Sequence, residues 1–328
     1  MRGGRGGGLR VGGTASIILA AVVADPRLRT YGLLVVVVLI WASYPALVKL
    51  ALRDVPPFTL AASRCVLASA LLAFLFWRAP AEGERPIGRA DLPDLAILGL
   101  MGITLSTGFF YLAVLLTTAS NAVILTCSTP VLVALGGHFV LGERLAGLQW
   151  AGVACSAAGV LLTVTRGDLR LLESPPSAGD GLVILCQVTW ATYTLYGKRV
   201  LTRLSPRAAT TAAYLIGTAL LLPLAVLAAP AFPPARLGSG VAWAVVVLQG
   251  TLGTLSHVWY YRGVQTVGPS VTAVFMNLQP VAGLLLAAVL LGEAVTPAGA
   301  VGAVLILGGV FMTTRRRSDG TERLHSRG

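Results

Sequence analysis

Charged residues are scarce in this sequence: Asp, Glu, Lys and Arg make up 12% of its 328 residues, about half the share found in an ordinary soluble domain. With 55% hydrophobic residues and a mean hydropathy of +0.80, most of the chain belongs in lipid. Acidic residues are scarcer than basic ones, 13 against 25, which leaves a net charge of +12. In a soluble protein that excess would suggest nucleic acid. Here the basic residues lie between and beyond the apolar runs, the pattern that orients a membrane protein, so nucleic acid is not an expected partner. The four cysteines (Cys65, Cys127, Cys155, Cys186) sit inside apolar runs without a C-x-x-C pair, which argues against a disulfide framework or a metal site and for packing. The sequence contains no H-E-x-x-H and no G-x-S-x-G, and no second histidine lies within helical reach of His257. An intramembrane enzyme therefore lacks its chemistry, and no cofactor is expected.

What is present is a series of ten apolar runs, near residues 31–52, 58–77, 94–116, 118–141, 147–165, 180–200, 208–229, 241–262, 269–291 and 297–314. Backbone in lipid must satisfy its own hydrogen bonds, and runs of this length do so as helices. Most connections are short; 78–93, 166–179 and 230–240 are longer and hold much of the Pro, Gly and charge. None of the 13 carboxylates falls in the middle of a run, so a proton relay built on carboxylates is not expected, although His257 could titrate near neutral pH. Facilitated movement down a gradient and proton antiport both stay open.

Orientation follows from Lys and Arg. With a cytoplasmic N-terminus, 19 of the 25 basic residues fall inside, five fall outside (Lys49, Arg53, Arg166, Arg170, Arg236), and Arg64 lies within a run. Both termini are thus expected in the cytoplasm. Residues 1–30 are basic and Gly-rich with a short apolar stretch, compatible with a cleaved signal, an interfacial segment or an upstream extension. Cleavage after Ala24 would put the new terminus outside and invert the charge tally, which favours the other two.

The chain is duplicated. Pro130–Glu143 and Pro280–Glu293 both run Pro-Val, an apolar stretch and Leu-Gly-Glu, at an offset of 150 that also pairs Tyr111 with Tyr261, Ser120 with Ser270, Gly152 with Gly302 and Gly159 with Gly309. An offset of 149 pairs Trp41 with Trp190, Tyr44 with Tyr193, Lys49 with Lys198 and Pro57 with Pro206. Such a repeat fixes the architecture. Each copy holds five runs, an odd number, so the second enters the bilayer from the opposite side. The expected fold is an all-α membrane protein of ten transmembrane helices arranged as two inverted five-helix repeats, with a site between them. The divisions are an N-terminal extension (1–30), repeat 1 (31–165), an external linker (166–179), repeat 2 (180–314) and a basic cytoplasmic tail (315–328).

In these features the chain resembles the EamA-type members of the drug/metabolite transporter superfamily. The resemblance rests on five plus five runs, Trp-x-x-Tyr in the first and sixth, Pro followed by Leu-Gly-Glu in the fourth and ninth, and an Arg (Arg64) in the second, and it covers about residues 31–314. The seventh run has Ala213 where Arg64 has its counterpart, so that feature belongs to one half. The resemblance implies a bacterial inner-membrane carrier of small metabolites, often an exporter of amino acids or related compounds, and leaves the substrate open.

Several residues could line a path. Pro130 and Pro280 lie within runs, where each frees the carbonyl four residues earlier, at Thr126 and Met276, and bends the helix. Kinking alone and cavity lining both fit. Trp41 and Tyr44, and Trp190 and Tyr193, are three apart and so share a helical face; they could pack or form an amphipathic wall against substrate. His257 stands beside Tyr260 and Tyr261 at helical spacing, either in a cavity or near a hydrated cytoplasmic end. Arg64 is about seven residues into its run and must meet a carbonyl, an anion or water, whereas Lys49 is expected to snorkel. His138 falls near a helix end. Gln187, Tyr111, Asn277 and Gln279 complete the polar candidates, and Glu143 and Glu293 are read as interface markers. Aromatic groups, one deep Arg and no buried carboxylate suit an amphipathic zwitterion or anion better than a lipophilic cation. The expected function is alternating-access export of small metabolites such as amino acids, with multidrug efflux as the alternative and a small molecule and the lipid bilayer as the partners. The sequence carries no indication of oligomeric state.

Overall fold

Long apolar runs leave the backbone no hydrogen-bond partner but itself, and helices result. The computed structural model of the chain describes residues 26–78, 85–117, 122, 125–126, 128–142, 145–165, 167–168, 170, 177–282 and 297–314. Every regular element among them is helical. In the first half, α1 (Pro26–Ala42) and α2 (Tyr44–Ala51) share the first run, and α3 (Pro57–Arg78) forms the second. The third combines α4 (Leu92–Leu98), a wider π-helical stretch (Gly99–Leu105) and α5 (Ser106–Leu116), and α6 (Ser128–Leu141) and α7 (Gly147–Thr165) follow. The second half holds α8 (Ala178–Val200), α9 (Pro206–Ala228), α10 (Gly240–Thr266), α11 (Pro269–Phe275) and α12 (Pro297–Thr314).

Among the described residues five stretches are long and apolar enough to cross a membrane: Pro26–Ala51, Pro57–Phe76, Arg89–Leu116, Pro206–Ala231 and Gly240–Thr266. Ser128–Leu141, Gly147–Leu162 and Pro297–Thr313 are shorter apolar helices. Helix α8 is long but more polar, with Asp180 in its first turn and Lys198 and Arg199 in its last. Each expected run contains described helix, the ninth only as far as residue 282. The described part of the first helix reaches back beyond its run, to Pro26. Both Leu-Gly-Glu endings, Ser120 and Cys127 lie in part or wholly outside the described residues.

The two halves are related by a two-fold axis that crosses the helices. A Cβ on Gly152 would come 2.7 Å from Gly309 O, and one on Gly159 would come 2.7 Å from Gly302 O, so α7 and α12 run antiparallel with their backbones in contact. Gly152 and Gly302 are repeat partners, as are Gly159 and Gly309; exchanging the halves maps one contact onto the other. Antiparallel repeat partners make the repeat an inverted one. The same exchange governs the other packing: α5 lies on α8 as α10 lies on α1, α3 meets α10 as α9 meets the π-helical stretch, and α3 packs directly on α9.

The lysines obey the symmetry too. Lys49 is exposed, and its Nζ donates to Val114 O (2.8 Å) and Thr117 O (3.3 Å) at the end of α5. Its partner Lys198 donates to Val264 O (3.1 Å) and Gln265 O (3.2 Å) at the end of α10. A cation at a helix C-terminus satisfies carbonyls that have no helical donor and opposes the negative end of the helix dipole. Each half thus fastens its first run to its third by the same device.

Candidate functional site

The site grows from a face of α10. Gln249, Gly253, Ser256, His257 and Tyr260 recur at intervals of three and four, which puts them on one side of the helix. All of them are buried. His257 is not at a hydrated end. It lies inside α10 at 5% exposure, with Nδ1 2.8 Å from Gly253 O and 3.2 Å from Tyr214 Oη. A carbonyl only accepts, so Nδ1 carries the proton in this arrangement and Nε2 is left as an acceptor. Among the described residues Nε2 makes no hydrogen bond.

Two tryptophans, one from each half, close on that histidine. Trp41 and Trp190 stand edge to face with ring centroids 5.2 Å apart. Trp41 is 5.0 Å from the His257 ring and Trp190 5.4 Å; Tyr260 lies 5.4 Å and 5.2 Å from the two indoles. These separations suit the edge and offset contacts that aromatic quadrupoles favour. The Trp41 indole N–H donates to Ser256 Oγ at 2.5 Å, and Tyr260 Oη shares a hydrogen bond with Thr194 Oγ1 at 3.0 Å. Tyr193 stacks on Tyr261 at 4.4 Å, and Tyr261 Oη donates to Tyr193 O at 3.0 Å.

The Trp-x-x-Tyr pair of the first run straddles a short interruption of the helix. Helix α1 ends at Ala42 and α2 begins at Tyr44, with Pro45 in its first turn. Proline cannot donate to the Trp41 carbonyl, so the helix breaks there and Ser43 Oγ binds Ile40 O at 2.7 Å instead. The eighth helix carries no such proline, and Trp190 and Tyr193 keep their shared face at 5.1 Å. Tyr44, like Trp41, turns to α10, where Trp41 meets Ser256 and a Cβ on Gly253 would fall on Tyr44 Oη. Gly253 is thus the residue that admits the phenol.

Arg64 occupies the neighbouring ground. It is 4% exposed and donates from Nη2 to Thr107 Oγ1 at 3.0 Å, and its guanidinium lies over the Tyr111 ring at 5.8 Å. Tyr214 and Cys65 stand near it without meeting Nε or Nη1 in hydrogen-bond geometry. Among the described residues no carboxylate forms an ion pair with it. A charge left bare at mid-bilayer depth costs about 3 kcal/mol or more. Tyr111 in turn donates to Gln249 Oε1.

The remaining candidates are spread elsewhere. Gln187 accepts from Thr129 Oγ1, and Asn277 Nδ2 donates to Ser156 Oγ at 2.8 Å. Pro280 has its predicted local effect: α11 stops at Phe275, and the carbonyl of Met276, released from a proline that cannot donate, takes the Gln279 N–H in a 3-10 turn over Met276–Leu278. Gln279 Nε2 lies 3.6 Å from Met276 Sδ. Pro130 is buried in α6, next to positions outside the described residues. None of these five touches the aromatic cluster through a hydrogen bond or ring contact that the structure shows. His138, in the last turn of α6, is exposed and meets the Trp150 ring at 6.2 Å. Sequence reasoning passed over Ser256, Tyr214, Thr107 and Gln249. Gln249, a lone amide two turns before His257 in an apolar run, carried a signal; the other three are hydroxyls of a kind common in such helices.

Polar ties between the halves close both ends of the molecule. At one, Asp94 of the first half accepts from Tyr196 Oη at 2.5 Å and pairs with Arg203, while Arg85 binds Asp91 at 2.6 Å. At the other, Asp54 accepts from Ser239 Oγ at 2.6 Å and lies 3.6 Å from Arg236.

The family model described as the EamA-like transporter family matches residues 28–165 and again 177–315. A protein named as an uncharacterized transporter of Archaeoglobus fulgidus is 34% identical over 290 residues, covering 88% of this chain and 98% of the relative. A probable terminal-alkyne amino-acid exporter of Streptantibioticus cattleyicolor is 29% identical over 285 residues, 86% of this chain and 92% of the relative. A solved structure described only as a crystal structure of a protein is similar with a TM-score of 0.69 at 24% identity, over 87% of this chain and 96% of that one. That likeness speaks to the fold.

Proposed function

The chain belongs to the EamA-like transporter family, and on that footing we propose that it exports small amphipathic metabolites, amino acids foremost, across the bacterial inner membrane by alternating access. It is a multi-pass membrane protein of a transporter family; the substrate, the direction and the cytoplasmic placement of both termini are our reading. The observation that carries it is the meeting of Trp41 and Trp190 on His257. Equivalent residues of two inverted halves converge there, so a rocking of one half against the other remakes that contact. Aromatic faces with a few directed polar groups are the usual lining of a small-molecule site. A deep cation without a partner carboxylate supports a zwitterion or anion over a lipophilic cation, and the amino-acid exporter among the relatives supports the same class.

The test is a flux panel in proteoliposomes, with amino acids and cationic dyes measured side by side. Movement of one or more amino acids is the expected result. Efflux of the dyes with no amino acid moved would overturn the substrate class in favour of multidrug efflux.

A further inference from the structure

We infer that Arg64 is a carboxylate anchor: its guanidinium forms one side of an anion subsite, with Tyr44 Oη and the free edge of the Gln249 amide beside it. This rests on the carrier reading above and deepens it, because it states what the cargo must bear. Four buried polar atoms in this one region have no partner among the described residues: Arg64 Nε, Arg64 Nη1, Tyr44 Oη and Gln249 Nε2. All four are donors or can be. Buried donors in folded proteins are nearly always satisfied, and a cluster of unsatisfied ones marks the place of a bound acceptor.

The four lie close together by independent contacts. The guanidinium sits over Tyr111 at 5.8 Å, and the Tyr111 hydroxyl holds the Gln249 amide. Tyr44 Oη lies against Gly253, one turn along α10 from Gln249. Nε and one Nη of a guanidinium form a planar fork whose spacing matches the two oxygens of a carboxylate. In Arg64 Thr107 takes one N–H of Nη2, while Nε and Nη1 have no partner among the described residues, so the second N–H of Nη2 completes a fork with Nε or with Nη1. Serine or threonine hydroxyls in its place could not offer that geometry, nor could a lysine. The subsite joins the aromatic cluster through Tyr214, which stands near Arg64 and bonds His257. A cargo held by its carboxylate on Arg64 therefore extends its body toward Trp41 and Trp190. The acceptor Nε2 of His257, in that aromatic cluster, suits an α-ammonium group. Arg64 has no counterpart in the second half, where Ala213 stands, so the two-fold scaffold carries one anchor and binds its cargo in one polarity.

The experiment uses matched pairs that differ only in the carboxylate: L-phenylalanine and L-phenylalaninamide, L-leucine and L-leucinamide, benzoate and benzamide. Thermal unfolding of the purified, detergent-solubilised full chain is followed by tryptophan fluorescence with each compound, and flux of the same compounds is measured in proteoliposomes. The acids should stabilise the wild-type protein and the amides should not. Arg64→Lys, which keeps the charge and the stem, should weaken acid binding by about tenfold or more. Should the Arg64 variants fail to fold, Gln249→Leu tests the same subsite, with a severalfold weaker response to the acids. Equal responses to acids and amides, no response to any acid, or an unchanged acid response in Arg64→Lys would each overturn the anchor. Acids and amides carried equally well would overturn the anchor and leave the carrier standing. Acid-specific stabilisation without flux of any compound would do the reverse.

Discussion

Ser69 and Thr218 meet at the centre of the protein with their hydroxyl oxygens 2.9 Å apart. Ser69 also bonds Tyr214 O at 3.1 Å, and Thr218 bonds Cys65 O at 3.2 Å. Both pairs, 69 with 218 and 65 with 214, are repeat partners, so each bond is the image of the other and the two-fold axis passes between the hydroxyls. Two protons serve three contacts, which makes the group a coupled unit.

Replacing Ser69 by Val should therefore lower stability by about 1 kcal/mol, the usual worth of an interhelical hydrogen bond in lipid. The double change Ser69→Val with Thr218→Val should cost less than the sum of the two single changes, because they share partners. Thermal unfolding in detergent measures both.

The crossing of α7 and α12 allows no side chain at its contact points. Gly152→Leu would drive a Cβ toward Gly309 O and Thr313 and should cost about 1–3 kcal/mol or prevent assembly. Gly181→Leu, on α8 with no atom within 4 Å of the added Cβ, is the matched control and should be tolerated. Size-exclusion recovery of the two variants reads the difference.

Trp190→Ala or His257→Ala removes ring contacts at the meeting point of the halves. Flux of the transported amino acid should fall by roughly tenfold, the scale of losing aromatic contacts worth about 1.5 kcal/mol, with membrane abundance unchanged. Normal flux in both variants would remove these residues from the site.

Asp94→Ala removes the acceptor that Tyr196 and Arg203 of the second half share on the first. Arg203 is 46% exposed, so the stability change should stay below about 1 kcal/mol. The conformational effect should be larger. Amide hydrogen exchange over residues 198–204 is expected to quicken while the residues around Asp54, at the opposite end, keep their rate. Unchanged exchange at 198–204 would show that the tie does not hold that end closed.

Much of this molecule was legible in its sequence. Apolar run length and the absence of mid-run carboxylates dictated helices in a membrane, the fixed offsets of 149 and 150 declared the duplication, and an odd count of runs per copy required inversion, since a chain that crosses an odd number of times ends on the other side. These properties are local or arithmetical, and composition carries them. The tertiary structure alone decided which faces meet. Trp41 and Ser256 are 215 residues apart in the chain yet share a hydrogen bond, and the rotation of each helix about its own axis determines that contact. Helices apolar on every side encode that rotation poorly, because lipid and protein interior reward the same residues. The seating of Trp41 on Ser256 and of Tyr44 on Gly253, the turning of Lys49 onto the end of α5, and the gathering of Tyr44, Tyr111 and Gln249 around Arg64 are results of packing, and pattern could not supply them.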